Sequence, residues 1–230
     1  MSASDVTLLD HPIWSALTTS QKHLAEGGPR ALRFPPAMAP FADMPDMSAD
    51  SFAALAAVMS DGNVAVLFTP EVVSVPAGFQ VMLAKPGEQM IGTPAEASLP
   101  DTEIITLGAA DVPEMTALVD RTRPGPFGPR THELGTFLGI RVGGELVAMT
   151  GERMKPGNFT EMTAICVHPS HRGRGYGQAL MTAVSRGILA RGEIPFLHVF
   201  ADNTSAIALY QRQGMTIRRT FQITVLRKQD

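Results

Sequence analysis

The sequence predicts an α/β fold: a mixed, mostly antiparallel twisted sheet flanked by helices, preceded by a smaller α/β region. Three observations predict it. From Glu103 onward, short apolar runs alternate with segments whose apolar residues recur at helical spacing. Gly143-Gly144 lies between two apolar runs, where a hairpin turn needs positive φ angles. In Arg172-Gly173-Arg174-Gly175-Tyr176-Gly177, three glycines separate an apolar run ending at Val167 from a helical pattern starting near Gln178.

The elements of residues 1–100 read as a separate region. Pro12 opens a helix through Glu26, with Ile13, Leu17 and Leu24 on one face and Gly27-Gly28 ending it. "RFPPAMAPFADMPD" is too proline-rich for helix or strand and reads as an extended surface segment. "SADSFAALAAVMSDG" is a capped helix ending at Gly62, and Val64–Phe68 and Phe79–Ala84 are strands. "KPGEQMIGTPAEASLPD" is punctuated by Gly and Pro and reads as a linker.

Residues 103–230 are more regular. Ile104–Leu107 is a strand, and "DVPEMTALVDRT" a helix with Asp111 as N-cap, Pro113 in its first turn and Glu114 three residues after the cap. "RPGPFGPR" is a basic loop and "THELG" a helical turn. Phe137–Val142 and Glu145–Thr150 form the hairpin, and Glu161–Val167 is a strand running into the glycine turn. The next helix carries Leu180, Met181, Val184 and Ile188 and stops at Gly192. Phe196–Phe200 is a strand, "DNTSAIALYQRQG" a short helix, and Phe221–Val225 a closing strand whose edge could pair with a second copy in a homodimer.

Bulk properties exclude several function classes. The chain has 230 residues, 44% hydrophobic and 18% charged, as expected of a globular protein with a real core. A net charge of −3 leaves no basic surplus for nucleic acid. Cys166 is the one cysteine, so no intrachain disulfide forms, which fits a reducing cytoplasm. The opening "MSASDVTLLDHP" has no basic segment followed by an apolar one, and no apolar run reaches about 18 residues, so neither a secretory signal nor a membrane span is expected.

The glycine turn reads as an anion site, because backbone N–H groups crowd at the start of a helix where partial positive charge accumulates. It is not a P-loop, since no Gly-Lys pair is near, and it fits the dinucleotide fingerprint poorly because its strand comes late in the domain. It does meet [QR]-x-x-G-x-[GA] after a strand ending in V-x-P. With "ICVHPSHRGRGYGQAL" and, about 30 residues on, "VFADNTSAIALYQRQGM", residues 103–230 resemble the GNAT superfamily of coenzyme-A-dependent N-acetyltransferases.

The resemblance implies an enzyme that moves an acetyl group from acetyl-CoA to a primary amine by direct attack through a tetrahedral intermediate. It implies no metal, and the expected acceptor is a small-molecule amine or an amino acid, with a peptide N-terminus or a lysine next. The implied coenzyme site comprises the backbone of Ile165, Cys166 and Val167, the turn residues Arg172, Gly173, Arg174, Gly175, Tyr176 and Gly177, and Asn203. Tyr210 stands where the family's tyrosine protonates the departing sulfur. Glu161, or else Glu152, is the candidate base, though placement alone can suffice. Cys166 lacks a neighbouring His at nucleophile spacing and reads as a small apolar filler, and the histidines show no metal-ligand spacing. Arg123 and Arg130 would suit an acceptor carboxylate, although solvated loop charges are the plainer reading. Residues 1–100 would be a degenerate acetyltransferase-like half, a lid or a structural partner. The rival function is a non-catalytic CoA or acyl-CoA sensor or assembly module.

Overall fold

The computed structural model describes residues 5–92 and 103–229. Helix α1 (Pro12–Thr18) leads to a small sheet of β1 (Glu26–Gly28), β2 (Ala31–Arg33) and β3 (Ala42–Asp43). Then come α2 (Ala49–Val58), β4 (Val64–Thr69) and β5 (Phe79–Ile91). The remainder comprises β6 (Ile105–Leu107), α3 (Val112–Thr122), β7 (Phe137–Val142), β8 (Glu145–Glu152) and β9 (Phe159–Val167). It closes with α4 (Tyr176–Ala190), β10 (Ile194–Phe200), α5 (Thr204–Arg212) and β11 (Thr216–Lys228).

Eight strands form one sheet in the order β4-β11-β5-β10-β9-β8-β7-β6, and every neighbouring pair is antiparallel except β9 and β10. The two sequence regions therefore share a sheet: β5 is threaded between β10 and β11, and β4 flanks β11. This corrects two expectations. The stretch Lys85–Ile91 of the supposed linker is strand, because pairing with β11 on one side and β10 on the other overrides the local Pro86-Gly87 signal. Beyond Gly92 the rest of that linker, 93–101, lies outside the described residues. The closing strand is not an edge either, since β4 and β5 cover both of its sides.

Three other local readings change. The proline-rich "RFPPAMAPFADMPD" is not a surface segment: it contains β3, and its Phe34, Met38, Phe41 and Met44 are at most 3% exposed, because apolar residues between the prolines pack into the core. The first helix ends at Thr18 because the hydroxyls of Thr18 and Thr19 bond back to the carbonyls of Trp14 and Ser15. Asp111 does not cap α3; it accepts from the Gly108 amide, and with Glu114 it holds Arg141. The hairpin turn is as expected, with Gly143 at φ 60° and Gly144 at φ 89°.

Alternation along β10 places the layers. Leu197 and Val199 pack against α4 and α5, through Met181, Val184, Ile188 and Tyr210. Phe196 points the other way, into a core with Ile13 and Leu17 of α1, Phe34, Phe41 and Phe221. Phe34, Phe41, Phe196 and Phe221 are at most 1% exposed. Each such side chain contributes roughly 1.5–3 kcal/mol of burial free energy, so the N-terminal region is tied to the sheet by its own core.

Candidate active site

The site arises where two strands part. β9 and β10 pair only at Ile194↔Phe159, Pro195↔Thr160 and Phe196↔Glu161. Beyond that point β9 stays with β8 and β10 with β5, so Met162–Val167 and Leu197–Phe200 face each other across a gap. The gap is the core of a cavity of about 810 Å³, lined by both strands, the glycine turn, α5 and part of the N-terminal region. Among the described residues no strand pairs with these facing edges, which leaves their backbone groups for a ligand.

A β-bulge shapes the β9 edge. Met149 pairs with Cys166 and Gly151 with Thr163, so Ala164 and Ile165 together oppose Thr150. Ala164 takes φ 51°, a left-handed conformation unusual for a residue with a Cβ. Ile165, Cys166 and Val167 all line the cavity.

At one end, the chain leaves β9 through a 3₁₀ turn (Pro169–His171) and enters α4. Gly173 and Gly175 have φ 77° and 80°, and a Cβ on either would meet nothing within 4 Å. These glycines are therefore required by backbone conformation and not by crowding. Gly175 precedes the first helical residue without a side-chain cap, so the leading amides of α4 remain available to an anion. Arg172, Gly173, Gly175, Tyr176 and Gly177 line the cavity; Arg174 is exposed outside it.

On the α5 side, Asn203 lines the cavity while its carboxamide oxygen accepts from the Ala206 amide at 3.3 Å, so it both caps the helix and faces the gap. Tyr210 also lines the cavity and is 9% exposed; burial, with Cys166 nearby, pushes its phenol up to about 12. It stays protonated across the physiological range. Burial likewise pushes the Cys166 thiol up to about 11, so it is no thiolate nucleophile.

At the closed end, Glu161 sits behind the cavity wall, 0% exposed. Arg153 donates Nε and Nη2 to Oε2 and Oε1 of Glu161, both at 2.8 Å, and His198 Nδ1 lies 2.8 Å from Oε1. Burial raises the Glu161 pKa, but the Arg153 guanidinium and the hydrogen bonds from Arg153 and His198 outweigh it and hold the group at about 2. The expected base is thus a paired, weakly basic carboxylate that does not line the cavity, and this corrects the direct-base reading of Glu161. Glu152 is also engaged, by Lys155 at 2.9 Å and Arg191 at 2.8 Å. Of the two loop arginines, Arg123 lines the cavity, whereas Arg130 pairs with Glu133 on the surface.

His198 and Arg153 do line the cavity, and sequence reasoning gave neither a role. Hydrogen-bond polarity fixes the His198 tautomer. Arg218 Nη1 donates to Gln89 Oε1 at 2.9 Å, and Gln89 Nε2 donates to the Leu9 carbonyl at 3.0 Å. The same Nε2 lies 3.0 Å from His198 Nε2, which must accept, leaving Nδ1–H for Glu161. The signal in sequence was a set of polar residues inside apolar strands, Gln89, Glu161 and His198, whose partners lie far apart along the chain. Among the described residues, no group of three or more His, Cys, Asp or Glu is gathered as a metal-ligand set.

Comparisons with known proteins agree with this architecture. Residues 137–222 match the family model described as FR47-like protein. The chain is 34% identical over 129 residues to the N-alpha-acetyltransferase RimI of Mycobacterium tuberculosis, covering 50% of this chain and 80% of that protein. It is 32% identical over 166 residues to a mycothiol acetyltransferase of Streptomyces bingchenggensis; the match covers 69% of this chain but spans only 49% of that relative. The crystal structure of a GNAT-family protein from Novosphingobium aromaticivorans superposes with a TM-score of 0.88 at 40% identity, over 97% of this chain and 99% of that one.

Proposed function

The chain belongs to the GNAT superfamily of acetyltransferases and is an acyltransferase; on that premise we propose that it transfers an acetyl group from acetyl-CoA to a primary amine. The observation that carries this reading is the parting of β9 and β10, with an anion-ready glycine turn at one end and a protonated tyrosine facing the gap. The residues fit the coenzyme. The amides of 173–177 and the Arg172 side chain suit its pyrophosphate, the free edge of Ile165–Val167 suits the pantetheine arm and the thioester carbonyl, and Asn203 can help hold that arm.

The thioester supplies an activated acyl carbon. A neutral amine attacks it while a β9 amide stabilises the developing oxyanion; the N–C bond forms and the C–S bond breaks. Tyr210 donates its phenolic proton to the departing sulfur and regains one from solvent. The amine proton leaves to water, since Glu161 is held charged by Arg153 and His198 presents an occupied Nε2. The acceptors favoured are small amines and amino acids. The name of the mycobacterial relative refers to N-alpha acetylation, which supports an α-amine among them. The cytoplasm is the setting we infer, from the single cysteine; among the described residues no helix is long and apolar enough to cross a membrane.

The test is release of free thiol from acetyl-CoA on addition of an amine panel to the purified chain. Amine-dependent release supports the reading. Tight acetyl-CoA binding with no release from any amine would contradict it.

A further inference from the structure

We propose that His171 is a further ligand of the coenzyme's pyrophosphate and takes up a proton when the coenzyme binds, so that coenzyme affinity rises as pH falls. The inference rests on the acyl-transfer reading above and concerns the end of the cavity at the glycine turn. His171 lines the cavity immediately before Arg172 and Gly173. It ends a chain of side chains that begins on α3. Arg121 Nη1 meets His168 Nε2, His168 Nδ1 lies 2.7 Å from Ser170 Oγ, and the same Oγ lies 2.9 Å from His171 Nδ1. The two imidazoles meet edge to face, with centroids 5.8 Å apart.

Hydrogen-bond polarity separates the two histidines. Both ring nitrogens of His168 face donors: the Arg121 guanidinium at Nε2, and the Ser170 amide 3.3 Å from Nδ1. A second proton on His168 would set an N–H against one of them. The His171 ring, among the described residues, bonds only a hydroxyl, which can donate to Nδ1 or accept from it. His171 can therefore gain a proton without losing that bond. In both states its Nε2 carries a hydrogen that is left for a ligand.

Charge supplies the driving force. The charged and titratable groups around His171 are Arg121 on α3, His168, Arg172 and Arg174 on the turn, and Tyr176 at the start of α4. Arg123, just past α3, lines the same cavity. Among the described residues that line it there is no Asp or Glu, and Asp120, beside Arg121, is exposed. Without a ligand anion, a cationic His171 is opposed by like charges. A pyrophosphate reverses the balance, because its negative charge favours the imidazolium and a charge-assisted N–H···O bond. Proton and coenzyme then strengthen each other's binding by the same factor.

The test is calorimetric titration of the full chain with CoA and with dephospho-CoA, in buffers of different ionisation enthalpy, from about pH 5.5 to 8, where an imidazole changes charge. Dephospho-CoA keeps the pyrophosphate and lacks the 3′-phosphate, a monoester that itself titrates near pH 6. Wild type should take up protons with both ligands. It should bind dephospho-CoA about fivefold more tightly at pH 6 than at pH 8, the gain expected if the ligand raises an imidazole's proton affinity about tenfold. His171→Gln, which keeps a donor N–H, should lose the uptake with dephospho-CoA and match wild type at pH 8. Equal uptake in the two proteins would overturn the proposal. A deficit in the variant as large at pH 8 as at pH 6 would do the same, since it would show a structural role only. Uptake with CoA alone, or no measurable binding of dephospho-CoA, would move the partner to the 3′-phosphate and also overturn it. Absence of CoA binding altogether would sink the acyl-transfer reading as well, which separates the two failures.

Discussion

Arg153 and Glu161 meet in a two-point ion pair, Nε–Oε2 and Nη2–Oε1 each at 2.8 Å, at the point where β9 and β10 separate. Glu161 is wholly enclosed, so the pair is a structural wedge: it stands where the sheet stops pairing and the cavity begins. Removing one member leaves the other charge buried. Glu161→Ala should therefore lose about 3–5 kcal/mol of stability, measured by urea unfolding. A loss below about 1 kcal/mol would show that the pair contributes little.

The same carboxylate has a pH signature. Its pKa falls from an ordinary 4.5 to about 2 in the fold, the Arg153 guanidinium and hydrogen bonds outweighing burial. A depressed carboxylate contributes stability that is fully present above the unfolded value and lost as pH falls toward the folded one. Wild-type stability should drop between about pH 4.5 and 2 more steeply than that of Glu161→Gln. Parallel acid limbs in the two proteins would contradict this.

Tyr210 is expected to act as an acid and not as packing alone. Tyr210→Phe keeps the buried ring and removes only the hydroxyl, so kcat should fall about 10²-fold or more while acetyl-CoA affinity stays unchanged. Because burial keeps the phenol protonated to about pH 12, wild-type kcat should show no alkaline limb from this group between pH 8 and 10. Equal turnover by the Phe variant would remove Tyr210 from the mechanism.

Ala164 sits in the bulge at φ 51° with its neighbours lining the cavity. Ala164→Gly should change stability by less than about 1 kcal/mol, since relief of the left-handed strain offsets the extra chain entropy. Ala164→Val should cost clearly more, because a β-branched residue is a true outlier at positive φ. Thermal melts of the two variants that coincide would show that the backbone there is not constrained.

Cys166 should be chemically quiet. Its thiol is pushed up to about 11 by burial, so alkylating reagents at neutral pH should leave it intact in the native protein. Cys166→Ala should retain turnover, because what the site uses is the backbone. Loss of activity with formation of an acyl-cysteine in wild type would revive the nucleophile.

The parts legible in the sequence were those written locally. The glycine turn, the Asn203 cap and the Tyr210 helix are continuous motifs, and each falls on the cavity. The parts that were not legible depend on pairing across long separations. β5 reads as a short strand followed by a breaker because Pro86 and Gly87 lie in its middle; only its neighbours β10 and β11 make it strand through Ile91. Glu161 reads as a free carboxylate at a strand end because nothing local reveals Arg153 and His198 closing on it from opposite sides. The contribution of residues 1–100 was hidden for the same reason: Phe41, Phe68 and Gln89 gain a role only once the sheet brings them to β10.

Isothermal titration of the wild type and of Gly175→Ala with acetyl-CoA, CoA and NAD tests most directly whether the glycine turn holds the coenzyme. Wild type should bind both CoA species and not NAD. Gly175→Ala, with a Cβ in open space but a φ of 80°, should relax out of the left-handed region when free and lose about 1–2 kcal/mol on regaining it to bind CoA, about tenfold in affinity. Failure of wild type to bind either CoA species, or equal affinity in the two proteins, would contradict the assignment of that turn.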